Sequence, residues 1–399
     1  METTEAKSPK MAEQDETLRQ VLNNIAKERG YTDYDISTKP TTTEGANYSS
    51  VLFLAKITEK GKDDLKLFAK VACVGEKVRE VAPLEVFKTE IFFYTNLVKT
   101  YREIELRHGV PEDERLVTTK FYGSNDEYLK ETLVMEDLTA KGYEMFDRFT
   151  TFDWEYAKEA IKQLAKLHAL SITYSLEKPE EFEKKTESLV IKFNADCMQD
   201  MMKGNIANSM TAVKEEYKDR VEKFFEEMMS AEKFFFLTQA HKRLVLAHGD
   251  YRPSNLMHKL NEDGTYSIIP IDYQTLNRGN PIVDLLYLIY NGSDQQFRRA
   301  HLDEAFDYYH SELSASLQRF GLKPDDVYSK DDFDFDLQQV RPYGLLISFM
   351  LLLLVTVDLE NIPTVSGEAD FTAFNIKPSE TYKKRINEII EEYIELGVL

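Results

Sequence analysis

Two short apolar runs near residue 260 each adjoin oxygen-bearing side chains. The short separation of the two runs along the sequence constrains how the chain can fold. The first stretch reads AHGDYRPSNLMHKL at 247–260, and IIPIDYQTL follows at 268–276. The two apolar runs are predicted to pair as a β-hairpin, which would bring Asp272 back beside Asp250 and Asn255. An ordinary turn rich in Asp and Asn, followed by a hairpin, explains the HGD triplet equally well when it is taken alone.

The three side chains together have the chemistry that phosphoryl transfer requires. Such a site needs a carboxylate near the acceptor hydroxyl, hard oxygen ligands for Mg²⁺ and cations on the phosphates. Asp250 and Asn255 share one tight loop, and Asp272 follows the returning strand. The full pattern therefore predicts that Asp250 accepts a proton and that Asn255 and Asp272 bind Mg²⁺.

The order of helix and strand patterns predicts a small β-rich front followed by a larger helical body. Polar residues 1–17 are expected to form a disordered tail, and a first helix is expected near 16–29. Strand patterns surround a helix pattern at 83–101, and they occupy 49–59, 65–73, 114–124 and 128–138. The body is predicted to contain a strand-rich patch at 244–273 and helices at 153–173, 179–205 and 209–240. We therefore predict an α+β chain with a front lobe at 18–136 and a helical lobe at 137–399.

Net charge and cysteine content restrict the partners and the compartment. The chain carries a formal net charge of −20 at pH 7, so phosphate backbones and anionic lipids repel it. Two cysteines, Cys73 and Cys197, give no disulfide framework and favour a reducing compartment such as the cytoplasm. The apolar run at 343–357 is shorter than the ~18 residues that a membrane span needs, and it is predicted to be a buried core helix. Neither nucleic acid nor a membrane is therefore an expected partner.

Several stretches of the chain resemble the ecdysteroid kinase-like family, which is related to choline kinase and the aminoglycoside phosphotransferases. They are HGDYRPSN, IDYQ, LVMEDLTAKGYEMFDR at 133–148, LAKLHALS at 164–171 and GNPIVDLLY at 279–287. The resemblance implies a two-lobed, protein-kinase-like fold. It also implies that Asp250 is the catalytic base, that Asn255 and Asp272 bind the metal, and that Asp284 braces the catalytic loop. The alternative for Asp284 is a position on the surface of a helix.

The front lobe contains candidates for binding ATP. Lys70 lies within the apolar strand pattern LFAKVA, and Glu90 lies on the inward side of the helix pattern at 83–101. Taken alone, Lys70 would be assigned to the edge of a sheet, but the resemblance implies a lysine–glutamate pair that binds the phosphates. The resemblance also implies a hinge at VMEDL, where backbone groups of Glu136, Asp137 and Leu138 would hydrogen-bond adenine.

The stretch TTEGANYSSVLF at 42–53 stands where a glycine-rich phosphate loop belongs. It contains one glycine, so it fails the G-x-G-x-x-G pattern. It does resemble the family's own pattern GxNYxS, which Gly45, Asn47, Tyr48 and Ser50 fit. Backbone N–H groups at 46–50 are therefore expected to face a phosphate. A plain turn before a strand is the alternative.

Two further features are assigned to structural rather than catalytic roles. His168 lies on the apolar face of the helix pattern at 153–173, so a hydrogen-bonded core histidine is expected. The stretch DDFDFD at 331–336 alternates acidic and aromatic residues, and a solvated loop is preferred there over a cation site.

The segment that follows Asp272 is too short for a peptide-docking platform, because the helix pattern GNPIVDLLYLIY already begins at 279. Together with the resemblance, this predicts an ATP- and Mg²⁺-dependent kinase that phosphorylates a hydroxyl of an ecdysteroid, a xenobiotic or another small alcohol. A non-catalytic ligand-binding protein on the same scaffold is the alternative, and a protein kinase is a third. The complete set of Lys70, Asp250, Asn255 and Asp272 favours the small-molecule kinase. The acceptor and the oligomeric state stay open.

Overall fold

An antiparallel sheet forms the N-terminal part of the protein, and its strands are ordered β1-β2-β3-β5-β4. The computed structural model describes residues 9–41, 50–73, 85–189, 195–228, 230–239, 241–357 and 376–399. The strands of this sheet are β1 (Tyr34–Thr41), β2 (Ser50–Glu59), β3 (Leu65–Ala72), β4 (Phe121–Asn125) and β5 (Thr132–Glu136). Helices dominate the remaining described residues, which confirms the predicted α+β class.

The first helix packs on this sheet and begins earlier than the sequence pattern predicted. Helix α1 (Pro9–Glu28) buries Leu18, Leu22 and Ile25 at helical spacing in a cluster with apolar residues of the sheet. The expectation of a disordered tail is wrong for residues 9–17. Their polar side chains concealed contacts with the sheet, since the Gln14 side-chain amide donates to the carbonyl oxygen of Ala72 at 3.2 Å.

The strand patterns predicted four of the five strands and missed β1. Strands β2 and β3 pair as the expected hairpin, with Leu52 opposite Lys70 and Ser50 opposite Ala72. Strand β1 pairs with β2, but its residues alternate between half-buried and exposed and lack an apolar face. Its position at the edge of the sheet explains why a polar sequence is tolerated there.

The helix that carries Glu90 is continuous, but its hydrogen bonding changes in the middle. It consists of α2 (Val86–Phe92), a π-helical turn (Phe93–Leu97) and α3 (Val98–Arg107). The helix predicted at 83–101 is therefore confirmed from 86 onward and extends to 107. The π turn keeps Phe93 and Leu97 in the core, and Tyr101 follows them on the buried side.

The C-terminal part packs its helices around one large apolar core. The helices are α4 (Trp154–Glu177), α5 (Pro179–Thr186), α6 (Ala195–Met210), α7 (Lys218–Met228), α8 (Ala231–Thr238), α9 (Pro281–Gly292), α10 (Gln295–Arg319), α11 (Pro324–Val327), α12 (Lys330–Val355) and α13 (Glu380–Glu395). The predictions of single helices at 179–205 and 209–240 are wrong. A 3₁₀ turn ends the first of them at 187–189, and Ser230 caps a new helix by accepting from the N–H of Lys233.

A hairpin in the strand-rich patch brings the two ends of the central motif together. Strand β6 (Val245–Ala247) pairs with β9 (Asn277–Gly279), and β7 (Leu256–Leu260) pairs with β8 (Tyr266–Pro270). Directly beyond the hairpin, the N–H of Ile271 donates to the carbonyl oxygen of Asn255 at 2.9 Å. The predicted return of Asp272 to the loop at 248–255 is therefore confirmed.

Helix α12 contains both the acidic-aromatic stretch and the long apolar run. Residues 331–336 do not form a solvated loop: Ser329 and Asp332 form a capping box, and the acidic residues occupy the first turns of the helix. Among the described residues this helix alone is long and apolar enough to cross a membrane, yet 61% of its most apolar window is buried inside the protein. Leu345, Phe349 and Leu352 are fully buried, which confirms the predicted core helix.

Candidate active site

Three charged side chains from separate elements meet in one cluster. Lys70 extends from β3, and its Nζ lies 3.0 Å from both carboxylate oxygens of Glu90 on α2. The same Nζ lies 2.7 Å from Oδ1 of Asp272, which follows β8. The structure therefore places Lys70 in the interior and not at the edge of the sheet, paired with the glutamate that the resemblance implied.

Burial and mutual attraction set the charge states of this cluster. Burial disfavours the ammonium form, but the charges of Asp272 and Glu90 outweigh it and raise the pKa of Lys70 above its usual range. Burial also opposes ionisation of Asp272, yet Lys70 lowers the pKa of that carboxyl. For Glu90 burial prevails over Lys70, so its pKa is raised. The cluster thus favours the ammonium form of Lys70 and the ionised form of Asp272.

Asp272 adopts an unusual backbone conformation at the point where the strand ends. Its φ is 68° and its ψ is 57°, and Leu129 is the only other non-glycine residue with positive φ among the described residues. Such a conformation costs about 1–3 kcal/mol for a residue with a side chain, so surrounding contacts must hold it. One such contact is the N–H of Tyr273, which donates to Glu90. The ring of Tyr273 also stacks on Phe93, with 3.4 Å between the ring centroids.

The loop at 248–255 is held by Asp284 from helix α9. The Asp284 carboxylate is fully buried and accepts from the N–H of His248 at 2.6 Å and from the N–H of Gly249 at 2.9 Å. Asp284 is therefore not a surface residue, and it contacts the loop that contains Asp250. Gly249 has a φ of 81°, and a Cβ there would clash with the carbonyl oxygen of Thr275. The glycine of HGD is thus required by both its backbone angle and its packing.

The two histidines near this loop have structural hydrogen bonds. Nε2 of His248 donates to the carbonyl oxygen of Ile271 at 3.0 Å, which ties the loop to the residue before Asp272. Burial lowers the pKa of His248, so its ring stays neutral. His168 lies between Asp284 and the hydroxyl of Tyr309, at 3.1 and 2.7 Å. The predicted role of His168 as a hydrogen-bonded core residue is confirmed.

Asp250 is surrounded by hydrogen-bond donors. Its Oδ1 accepts from Nε of Arg252 at 3.0 Å and from the hydroxyl of Tyr287 at 2.5 Å. Its Oδ2 accepts from the side-chain amide of Asn255 at 2.8 Å, and the same amide donates to the Asp250 carbonyl at 2.9 Å. Burial, followed by the charge of Asp250, raises the pKa of Tyr287 well above its usual value, so this hydroxyl keeps its proton. The loop therefore brings Asp250 and Asn255 into direct contact.

The predicted hinge follows β5 and has one backbone donor available. The N–H of Glu136 donates to Lys120, and the N–H of Asp137 donates to Lys66. The N–H of Leu138 has no acceptor among the described residues. The side chain of Glu136 is occupied by an ion pair with Lys141. Of the three hinge residues, Leu138 therefore has the backbone N–H that is free to meet a ligand.

The predicted phosphate loop is described only at its end. Gly45, Asn47 and Tyr48 lie outside the described residues. Ser50 is buried at the first position of β2, next to the strand that carries Lys70. The role of this loop stays a prediction.

Sequence reasoning missed two side chains that contact the central carboxylate. Arg252 stood within the quoted motif, but it was assigned no role. Tyr287 stands three residues after Asp284 and so on the same side of helix α9. That spacing was the signal that could have identified Tyr287, because residues one helical turn apart face the same neighbouring segment.

The chain belongs to the ecdysteroid kinase-like family, whose model matches residues 44–322. Among solved structures it is similar to the GDP complex of a point mutant of aminoglycoside 2′-phosphotransferase-IIIa. The identity is 11% and the TM-score 0.46, over 96% of this chain and 98% of that one. It is also similar to aminoglycoside-3′-phosphotransferase of type VIII, with 15% identity and a TM-score of 0.37 over 83% of this chain and 98% of that one. No curated protein matches the chain. The family match, together with the N-terminal antiparallel sheet and the mostly helical remainder of the described residues, confirms the predicted α+β, kinase-like architecture.

Proposed function

We propose that this protein is an ATP- and Mg²⁺-dependent kinase that transfers the γ-phosphoryl group to a hydroxyl of a small acceptor. An ecdysteroid, a xenobiotic or another small alcohol is the acceptor class that the family suggests. The observation that carries the proposal is the contact of Lys70 with both Glu90 and Asp272. A buried cation that two carboxylates hold at the junction of the two lobes supplies the positive charge that phosphoryl transfer needs on the phosphates.

The described residues fit a nucleotide that spans from the hinge to Lys70. The N–H of Leu138 is available for adenine, and the side chain of Lys70 supplies positive charge for the phosphates. Glu90 orients Lys70, because both of its carboxylate oxygens contact the ammonium group. Gly45, Asn47, Tyr48 and Ser50 are proposed to complete the phosphate site from β2 and the stretch before it.

The oxygen atoms of Asp272 and Asn255 fit a magnesium ion. Mg²⁺ in such sites is bound by one or two protein side chains together with substrate phosphates and water. Asp272 is an ionised carboxylate, and the hydrogen bond between Ile271 and Asn255 keeps the two residues adjacent. When bound, the metal would neutralise phosphate charge. Among the described residues, no three acidic, histidine or cysteine side chains are arranged to hold a metal ion by themselves, so the proposed ion would take its remaining ligands from the nucleotide and water.

Asp250 is the residue proposed to meet the acceptor. Its carboxylate is half-buried in a loop that Asp284 fixes by two backbone hydrogen bonds. A carboxylate so placed orients the hydroxyl and takes its proton late in the transfer. Asp284 does not react, and its contribution is the position of the loop.

The segment after Asp272 supports a small acceptor over a peptide. Residues 273–275 form a 3₁₀ turn, 277–279 form β9, and α9 begins at Pro281. The residues between Asp272 and α9 therefore form the 3₁₀ turn, the short strand β9 and the single residues that connect these elements. No residues between Asp272 and α9 are left over to form a peptide-docking segment. We propose a cytoplasmic location on the basis of the low cysteine content alone.

Phosphoryl transfer is tested by incubating the protein with Mg-ATP and a panel of steroid, phenolic and amino-alcohol acceptors. Mass spectrometry should detect a gain of one phosphoryl group on at least one acceptor. Asp250→Asn should lower kcat by roughly 10²–10⁴ while Mg-ATP affinity, measured by calorimetry, stays nearly intact. Asp272→Ala should lose both, and Asn255→Ala should fall between them. If no acceptor gains a phosphoryl group and none of the three variants changes Mg-ATP binding, the kinase proposal would give way to the non-catalytic ligand-binding protein.

A further inference from the structure

The Asp250 carboxylate has most of its hydrogen-bonding capacity already occupied. An ionised carboxylate accepts along about four lone-pair directions, two on each oxygen. Oδ1 accepts from Arg252 at 3.0 Å and from Tyr287 at 2.5 Å, so both of its directions are filled. Oδ2 accepts from Asn255 at 2.8 Å, which leaves one direction on that oxygen. The two oxygens are therefore not equivalent toward a substrate.

Tyr287 differs from the other two donors because it comes from a separate element. Arg252 and Asn255 belong to the same loop as Asp250, so they move with it. Tyr287 belongs to helix α9, is almost fully buried, and follows Asp284 by one helical turn. A single helix thus fixes the loop backbone through Asp284 and the loop carboxylate through Tyr287.

We infer that Tyr287 is a positioning residue that locks Oδ1 of Asp250, so that Oδ2 is the oxygen that meets the acceptor hydroxyl. The inference rests on the proposed kinase function. It adds which oxygen of Asp250 accepts the proton, namely Oδ2, and which residue determines this, namely Tyr287. Without the Tyr287 hydroxyl, the carboxylate can turn about its Cβ–Cγ bond toward Arg252. Oδ2 of Asp250 is then no longer oriented toward the acceptor hydroxyl.

Tyr287→Phe tests this inference, because it removes the hydroxyl and keeps the ring. Loss of one hydrogen bond to a charged group should lower kcat roughly tenfold to hundredfold. The KM for ATP should change by less than about twofold, because Asp250 does not bind the nucleotide. Tyr290→Phe is the matched control. Tyr290 is buried on the same helix, and its hydroxyl bonds a different carboxylate, Glu392, at 2.9 Å.

A second measurement separates positioning from a general effect on the fold. In an Asp250→Asn background, adding Tyr287→Phe should change kcat by less than about twofold, since the group that it positions is gone. The same loss of kcat in both backgrounds, or an equal loss in Tyr290→Phe, would overturn the inference. Crystal structures give a readout that is independent of turnover. An Asp250 carboxylate that keeps its orientation in Tyr287→Phe refutes the inference, and a rotated one supports it, even if the wild-type protein transfers no phosphoryl group and the proposed function fails.

Discussion

Replacing Asp284 with asparagine should weaken both the fold and the reaction, and the structure shows which contact is lost. The asparagine oxygen can take the place of Oδ2 and keep the hydrogen bonds from His248 and His168. Its NH₂ group then faces the N–H of Gly249, so two donors meet where the wild-type distance is 2.9 Å. The lost hydrogen bond to a charged group is worth about 1.5–3 kcal/mol, and the unpaired buried donor costs about 1–3 kcal/mol more. Relief from burying a negative charge offsets part of this sum, so we expect a loss of about 3 kcal/mol in the free energy of unfolding.

The effect on turnover should be larger than this loss of stability implies. Gly249 precedes Asp250, and a displacement of about 1 Å at a reacting group can lower the rate about 10²-fold. Urea unfolding and steady-state turnover at a temperature where both proteins are folded would measure the two effects. Asp336→Asn is the matched control, because Asp336 is equally buried but accepts from Tyr328 and Lys242. If Asp284→Asn loses stability and turnover no more than Asp336→Asn does, the loop is not braced by Asp284.

The remaining predictions concern the cation, the glycine and the acceptor. Lys70→Met removes the partner of two buried carboxylates, so ATP use should fall severely and stability by about 3–5 kcal/mol, whereas Glu90→Gln should lower ATP use less. Lys66→Met, at the exposed start of the same strand, is the control, and unchanged turnover in Lys70→Met would remove Lys70 from the site. Gly249→Ala should destabilise the protein more than Gly264→Ala in urea unfolding, because both glycines have positive φ but only the first has atoms in the way of a Cβ. Small hydroxylated lipophiles should be phosphorylated and generic peptides should not, and transfer to a protein without any small-molecule turnover would contradict the proposed acceptor class.

Apolar runs in the sequence predicted the buried parts of the fold. Strands β2 and β3 were predicted correctly from β-rich runs, and the long core helix was predicted correctly from an uninterrupted apolar run at 343–357. Strand β1 and the start of α1 were missed because their contacts with the sheet involve polar side chains and backbone atoms. Helix ends at 187 and 230 were missed for a related reason, since caps and 3₁₀ turns leave the apolar pattern almost unchanged.

Local motifs located the side chains that we propose to react or bind the metal, but not all of those that we propose to position them. Asp250, Asn255 and Asp272 lie in two short stretches, so their proximity followed from one predicted hairpin. The contact between Tyr287 and Asp250 joins residues from a helix and a loop, and no strand or helix period links their positions. Lys70 required the family resemblance, because an isolated lysine in a strand is usually exposed. Gly45, Asn47 and Tyr48 lie outside the described residues, so their predicted contact with phosphate is untested.

The π turn at Phe93–Leu97 has a consequence for how the chain tolerates insertions and deletions. A π turn accommodates roughly one residue more than an α turn, so it records an extra residue inside an otherwise regular helix. Removing one residue there would restore regular helix geometry and leave the segment before it close to its present orientation relative to α3, because the π turn already absorbs the extra residue. Glu90 precedes the turn, whereas Tyr101 and Ile104 anchor α3 in the core. A one-residue deletion within the π turn would therefore keep Glu90 facing Lys70, whereas a one-residue deletion between the turn and Tyr101 would rotate Glu90 by about 100° relative to the anchored part of α3.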